Sequence, residues 1–249
     1  MFGVVLISQI VGLALAFGVA IVRAESLPTP ADVGWSLLGG VVGGIGIVSL
    51  YRGLAVGRMG IVAPVTGVLA AVIPVVAGIV LEGWPDALVL AGIVTALVAV
   101  VLVSRVADEG GGRAGLGLAL LSGTTIGLFG VVIAQISDGH VFGPLAIVRG
   151  AEALLIVAVI AATRTAWRPA PRLVPAILGI GVLDMTGNGF YILAVQSGAL
   201  AVASVVSSLY PVTTVILAAV LLHERVTRSH AVGIALAVLA IVLIGAGSG

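Results

Sequence analysis

Long apolar runs separated by short polar or turn-forming breaks set the pattern of this chain. Nine runs stand out, over residues 3–22, 33–51, 61–81, 87–104, 114–137, 141–163, 173–195, 199–222 and 230–247. A helix needs about 20 mostly apolar residues to cross a bilayer, so the pattern predicts nine spans. The breaks carry charge, Pro or Gly: RAESLPTPAD, LEGWPD, RVADEGGGR, SDGH, RTAWRPAPR and HERVTR. Two further breaks, VGRMG and QSGAL, are short and nearly apolar, but each divides a run too long for one span. The first run lacks the basic start of a signal peptide and is about twice the length of its apolar core, so it reads as a span.

Composition agrees with that reading. Of 249 residues 61% are hydrophobic and only 8% charged, and the mean hydropathy is +1.34. So few charges cannot cover a water-soluble fold, which excludes a soluble enzyme, a nucleic-acid binder and a disordered chain. The formal net charge of +1 points to no acidic partner. The absence of Cys excludes disulfides, thiolate metal sites and a Cys nucleophile. Glycine is abundant, at 36 residues, as suits helices that must approach closely in lipid. The run of glycines from Gly39 to Gly46 lies mid-span and lacks a Lys, so it reads as helix packing and not as a phosphate loop.

Charge asymmetry gives an orientation. The breaks after the second, fourth, sixth and eighth spans hold Arg58, Arg105, Arg113, Arg164, Arg168, Arg172, Arg225 and Arg228, whereas the opposite side holds only Arg23. The Arg-rich side is expected to be cytoplasmic. Met1 is then inside and Gly249 outside, in a multi-pass protein of the cell membrane.

An internal repeat runs through the chain. At a shift of 140, Tyr51 falls on Tyr191, Val62-Ala63 on Val202-Ala203, Leu69 on Leu209 and Val80-Leu81 on Val220-Leu221; one extra residue puts Gly92-Ile93 on Gly233-Ile234. The shift spans five helices, an odd number, so the two copies cross the bilayer in opposite senses, a frequent transporter design. The domains expected are a first repeat over 1–106, a linker at 107–113 on the cytoplasmic side and a second repeat over 114–249. The helix at 114–137 has no counterpart in the first half, so the first copy reads as truncated: the full unit would have ten helices.

Two segments carry a family resemblance. YRGLAVGRMGIVAPVTGVLAAVIPVVAGIVLE and LDMTGNGFYILAVQSGALAVASVVSSLYPVTTVILAAVLLHERVTRSHAVGIALAVLAIVLIG resemble the ends of the two repeats of EamA-type members of the drug/metabolite transporter superfamily. Pro211 and Glu224-Arg225 match the pattern. His223 replaces the usual Gly, and Glu82-Gly83-Trp84 lacks the basic residue after the acid. The resemblance implies an all-α bundle of two inverted five-helix repeats. It also implies secondary transport of small metabolites, amino acids or analogues among them, frequently outward.

Charges inside a span usually face a cavity or a partner. Arg149 and Glu152 sit three apart on one face of the sixth span, and the 140-residue shift puts Gln9 opposite Arg149. An Arg can grip a substrate carboxylate with two parallel bonds, or simply pair with Glu152. Asp184, Asn188 and Tyr191 form a polar stripe at i, i+4 and i+7 on the seventh span. Asp184 is expected to face the bundle interior, where it could carry a coupling proton or stitch helices together. Thr125 and Ser208 are further cavity candidates, although hydroxyls in helices often bond their own backbone. Pro64, Pro74 and Pro211 are hinge or kink candidates. No constellation for catalysis or metal binding appears, and no cofactor or nucleic acid is expected; the partners are the bilayer, a small-molecule substrate and a coupling proton or ion. The alternatives are a lipid-handling, flippase-like subunit and an intramembrane enzyme.

Overall fold

The computed structural model describes residues 2–57, 59–103, 115–165, 167–221 and 227–247. The described residues form helices and connecting turns: α1 (Phe2–Val22), α2 (Pro30–Val56), α3 (Met59–Glu82), α4 (Ala87–Val103), α5 (Leu116–Ile133), α6 (Phe142–Thr163), α7 (Val174–Ser197), α8 (Leu200–Ser207), α9 (Tyr210–Leu221) and α10 (Arg228–Gly247). Seven of them are long and apolar enough to cross a membrane. The linker at 107–113, Arg58, Arg105, Arg113, His223 and Glu224-Arg225 lie outside the described residues.

Nine predicted spans become ten helices because the eighth is broken. The α8 helix ends at Ser207 and α9 starts at Tyr210. Pro211 has no N–H to return to the preceding turn. The chain crosses the break with tight three-residue bonds, Leu209 N–H to Val206 O at 3.2 Å and Val212 N–H to Leu209 O at 2.9 Å.

Helix starts are fixed by side chains. Thr29 caps α2 with Pro30 in its first turn. The Thr29 hydroxyl oxygen accepts the Asp32 N–H at 3.1 Å, and the Asp32 carboxylate accepts the Thr29 N–H at 3.0 Å, a reciprocal box. Glu25 accepts the N–H groups of Val141, Phe142 and Gly143 at 2.8, 3.0 and 3.1 Å, covering the exposed donors that open α6. Glu82 does the same for the Leu200 N–H at the start of α8, at 2.9 and 3.0 Å.

The helices gather into two compact units. The first, Met1–Val48 with Val132–Ser197, packs α1 along α6 and α7. The second, Ser49–Val131 with Gly198–Gly249, packs α4 along α10 and α3 along α8. Each unit therefore draws on both halves of the sequence, and helices about 140 residues apart are neighbours. Glycines set the close approaches. In the first unit a Cβ on Gly40 would lie 2.5 Å from Ala151 Cβ and 2.7 Å from Val148 O, while one on Gly181 would lie 2.8 Å from Val11 Cβ and 2.7 Å from Ser8 O. In the second, Gly92 abuts Ala240 O and Ile244, and Gly233 abuts Ala99 O and Val103. Because Gly92 meets residues well past Gly233 and the reverse also holds, α4 and α10 run antiparallel. Their core joins Val89, Ile93, Ala96 and Val100 to Ala237, Ala240 and Ile244.

Candidate functional site

The first unit contains an ionic cluster built from three helices. Arg149 on α6 is 1% exposed, Glu152 one turn further is 2% exposed, and Gln9 on α1 is 2% exposed. Arg149 Nη1 donates to Gln9 Oε1 at 2.8 Å and to Glu152 Oε2 at 3.0 Å. The same nitrogen lies 2.8 Å from Asp184 Oδ2 on α7. Three acceptors thus crowd one nitrogen that has two hydrogens. Meanwhile Arg149 Nε and Nη2, both buried, have no hydrogen-bond partner among the described residues.

The members differ in access. Unlike the buried Gln9, Arg149 and Glu152, the Asp184 side chain is 43% exposed. It therefore sits at the open edge of the cluster and not wholly inside, as the sequence suggested; what holds it there is Arg149. Asn188 Nδ2 donates to the Asp184 backbone carbonyl at 2.9 Å and to Oδ1 at 3.3 Å, which steadies the carboxylate from its own helix. Tyr191 continues this edge of α7 and is half-buried.

Arg149, Glu152 and Asp184 bring one guanidinium and two carboxyl groups together. A buried ion pair is costly to desolvate unless its partners are well placed, and an excess charge inside a span is costlier still. Such an arrangement attracts a proton or a ligand that relieves it.

Gly12 is a site residue that side-chain chemistry could not point to. A Cβ there would come within 3.4 Å of Arg149 Nε and Cδ, so the glycine lets α1 pack closely against the Arg149 side chain. The repeat held the signal, since Gly12 falls on Glu152 at the 140-residue shift just as Gln9 falls on Arg149.

Other candidates do not join this cluster. Thr125 and Ser208 belong to the second unit and spend their hydroxyls on their own helices, Thr125 on Leu121 O at 2.8 Å and Ser208 on Val205 O at 2.7 Å. Pro64 and Pro74 lie inside α3, and Pro211 lies in the first turn of α9. An apolar recess lined by Leu15, Val19, Phe142, Met185 and Phe190 also belongs to the first unit. At 100° per residue Thr186 and Phe190 point away from Asp184 around α7, so this recess is separate from the ionic cluster.

Long apolar helices packed within two units, with Arg149, Glu152 and Asp184 meeting in one of them, define an all-α polytopic membrane protein. The EamA-like transporter family matches residues 113–246, more than half of the chain, and the chain belongs to that family. It is accordingly a membrane transporter of small molecules, working in a lipid bilayer. A solved crystal structure superposes on it with a TM-score of 0.82 at 17% identity, covering 98% of this chain and 88% of that one, which is a likeness of fold. No curated protein matches the sequence.

Proposed function

We propose that the chain is a secondary transporter of a small polar or amphipathic metabolite, that it works by alternating access, and that the Arg149 cluster is where substrate engages. The observation that carries this is the convergence of α1, α6 and α7 on one buried guanidinium. Ionisable groups in spans are rare and mark transport pathways. Gln9, Arg149, Glu152, Asp184 and Asn188 form the substrate-facing group, with Tyr191 beside it. Asp184, the accessible carboxylate, is the group suited to a coupling proton. Thr125 and Ser208, whose hydroxyls bond their own helices, take no part in this group, and Pro64, Pro74 and Pro211 are the hinge candidates. Catalysis is no part of this reading.

The repeat supports the same mechanism. Two copies of opposite topology, over 1–106 and 114–249, would rock about a central cavity, and the reciprocal glycine contacts are those expected of two-fold-related halves. Arg asymmetry puts Met1 on the cytoplasmic side of the cell membrane. A reporter fused after Gly249 should be active only in an extracytoplasmic assay, and cytoplasmic activity would reverse the orientation. Metabolite profiling of cells with and without the protein, followed by flux into proteoliposomes with and without a pH gradient, tests transport itself. Unchanged metabolite pools together with no flux would overturn the reading.

A further inference from the structure

Asp184 is placed where a ligand's acid group would bind. We propose that Asp184 is an internal stand-in for a substrate carboxylate, and that a carboxylate ligand displaces it from Arg149 while Asp184 takes up a proton. This rests on the reading of the cluster as the substrate site.

Three observations carry it. First, Gln9 and Glu152 already occupy the two hydrogens of Nη1 with regular bonds, so Asp184 is the surplus acceptor at 2.8 Å. Second, it is the exposed member, at 43% against 2% for Glu152. It can leave without opening the buried pair. Third, Arg149 retains unspent donors on Nε and Nη2, and Gly12 faces them without a side chain. A guanidinium with free donors prefers a planar, two-oxygen acceptor. The ligand class that fits is a carboxylate.

Charge accounting then fixes the proton. With both carboxyl groups ionised, Arg149, Glu152 and Asp184 sum to one negative charge. A second carboxylate entering while Asp184 stays ionised raises this to two, inside a span where uncompensated charge is costly. If the freed Asp184 takes up a proton, the sum stays at one. No bond other than this O–H forms, and none in the ligand breaks. The groups facing Asp184 are Arg149 and Glu152 from α6, Gln9 from α1 and Asn188 from its own helix; α1 has no titratable residue. Tyr191 lies further along α7, and Arg172 lies in the turn that precedes it.

The test uses the full chain in detergent, with formate as the smallest carboxylate and formamide as its neutral control. Thermal unfolding is followed against ligand concentration between pH 6 and pH 8. Linkage of one proton to one ligand makes the apparent affinity for formate fall by up to about tenfold per pH unit in the unmodified protein. Asp184→Asn, a change at an exposed position, should bind formate more tightly and with no pH slope. Asp184→Glu should restore the slope. Arg149→Lys keeps the charge without the fork and should lose formate binding. The proposal is overturned by an equal pH slope in Asp184→Asn, by formate binding that survives Arg149→Lys in folded protein, or by stabilisation that formamide reproduces. Absence of any formate effect in the unmodified chain also overturns it. Flux in proteoliposomes is a separate measurement, so transport without this exchange would sink the inference and leave the transport reading standing.

Discussion

Gly40 and Gly181 make the same contact from opposite sides of the first unit. Gly40 lies against the carbonyl of Val148 and the Cβ of Ala151, and Gly181 lies against the carbonyl of Ser8 and the Cβ of Val11. Ser8 and Val148 are 140 residues apart, as are Val11 and Ala151, while the glycines are 141 apart. Each helix pair therefore repeats the other's packing with the partners exchanged. Such reciprocity is the property of a two-fold axis.

A methyl group at either glycine should be damaging in the same way. Gly40→Ala and Gly181→Ala each force a Cβ to within 2.8 Å of a neighbouring backbone oxygen and Cβ. Overpacking of this kind costs about 1–3 kcal/mol. Gly18→Ala and Gly34→Ala, where a Cβ meets nothing within 4 Å, should be neutral or stabilising by up to about 1 kcal/mol, because Ala is the better helix former. Thermal unfolding in detergent separates the two sets; equal midpoints for all four variants would show that the contacts are not tight.

The buried pair of Arg149 and Glu152 should behave as one unit. Arg149→Gln leaves a buried carboxylate without its cation, a change worth about 3–5 kcal/mol. Adding Glu152→Gln should recover much of that loss, since two amides can bond where two ions did. A double-mutant cycle on unfolding free energy measures the coupling, and additive losses would mean that the two side chains act separately.

Glu25 should hold the start of α6. Its carboxylate accepts three successive N–H groups, Val141 to Gly143. Glu25→Ala should cost about 1 kcal/mol and speed amide exchange at those three residues more than in the middle of α6. Uniform exchange across α6 would refute a local cap.

Asp184→Asn should reduce transport strongly while the protein still accumulates and survives detergent extraction, because the replaced side chain is partly exposed and its size is kept. Normal transport by this variant would make Asp184 a packing group.

Much of this was legible in the sequence, for physical reasons. Apolar runs long enough to span must become helices in a bilayer, and nine were visible. The repeat shift marked Gln9 and Arg149 as equivalent polar positions, but their hydrogen bond was not legible from it, because a two-fold axis brings equivalent positions together only where they lie beside the axis. What sequence could not supply was long-range hydrogen bonding. Glu25 reaches α6 across more than a hundred residues, and no periodicity encodes that. The break between α8 and α9 was signalled by Pro211, yet a proline in a span can bend a helix without interrupting it. Thr125 and Ser208 satisfy their hydroxyls within their own turns, and hydropathy does not distinguish that from lining a path. Asp184 was expected to be interior; its place at the cluster's edge depends on how α7 is rotated, which Gly181 sets through its contact with α1.

The reciprocal glycine contacts treat the two halves proposed above alike, but the ionic cluster belongs to one of them. Opposite Arg149 the earlier half has Gln9, opposite Glu152 it has Gly12, and opposite Asp184, at the 141-residue offset of the neighbouring glycines, it has Gly43. In the alternating-access cycle proposed above, identical halves would give inward-facing and outward-facing forms that are mirror solutions of one another in energy. Three charged side chains on a single half lift that degeneracy. The resting side of the cycle would then depend on Arg149, Glu152 and Asp184, while the direction of net flux would still be set by the gradients.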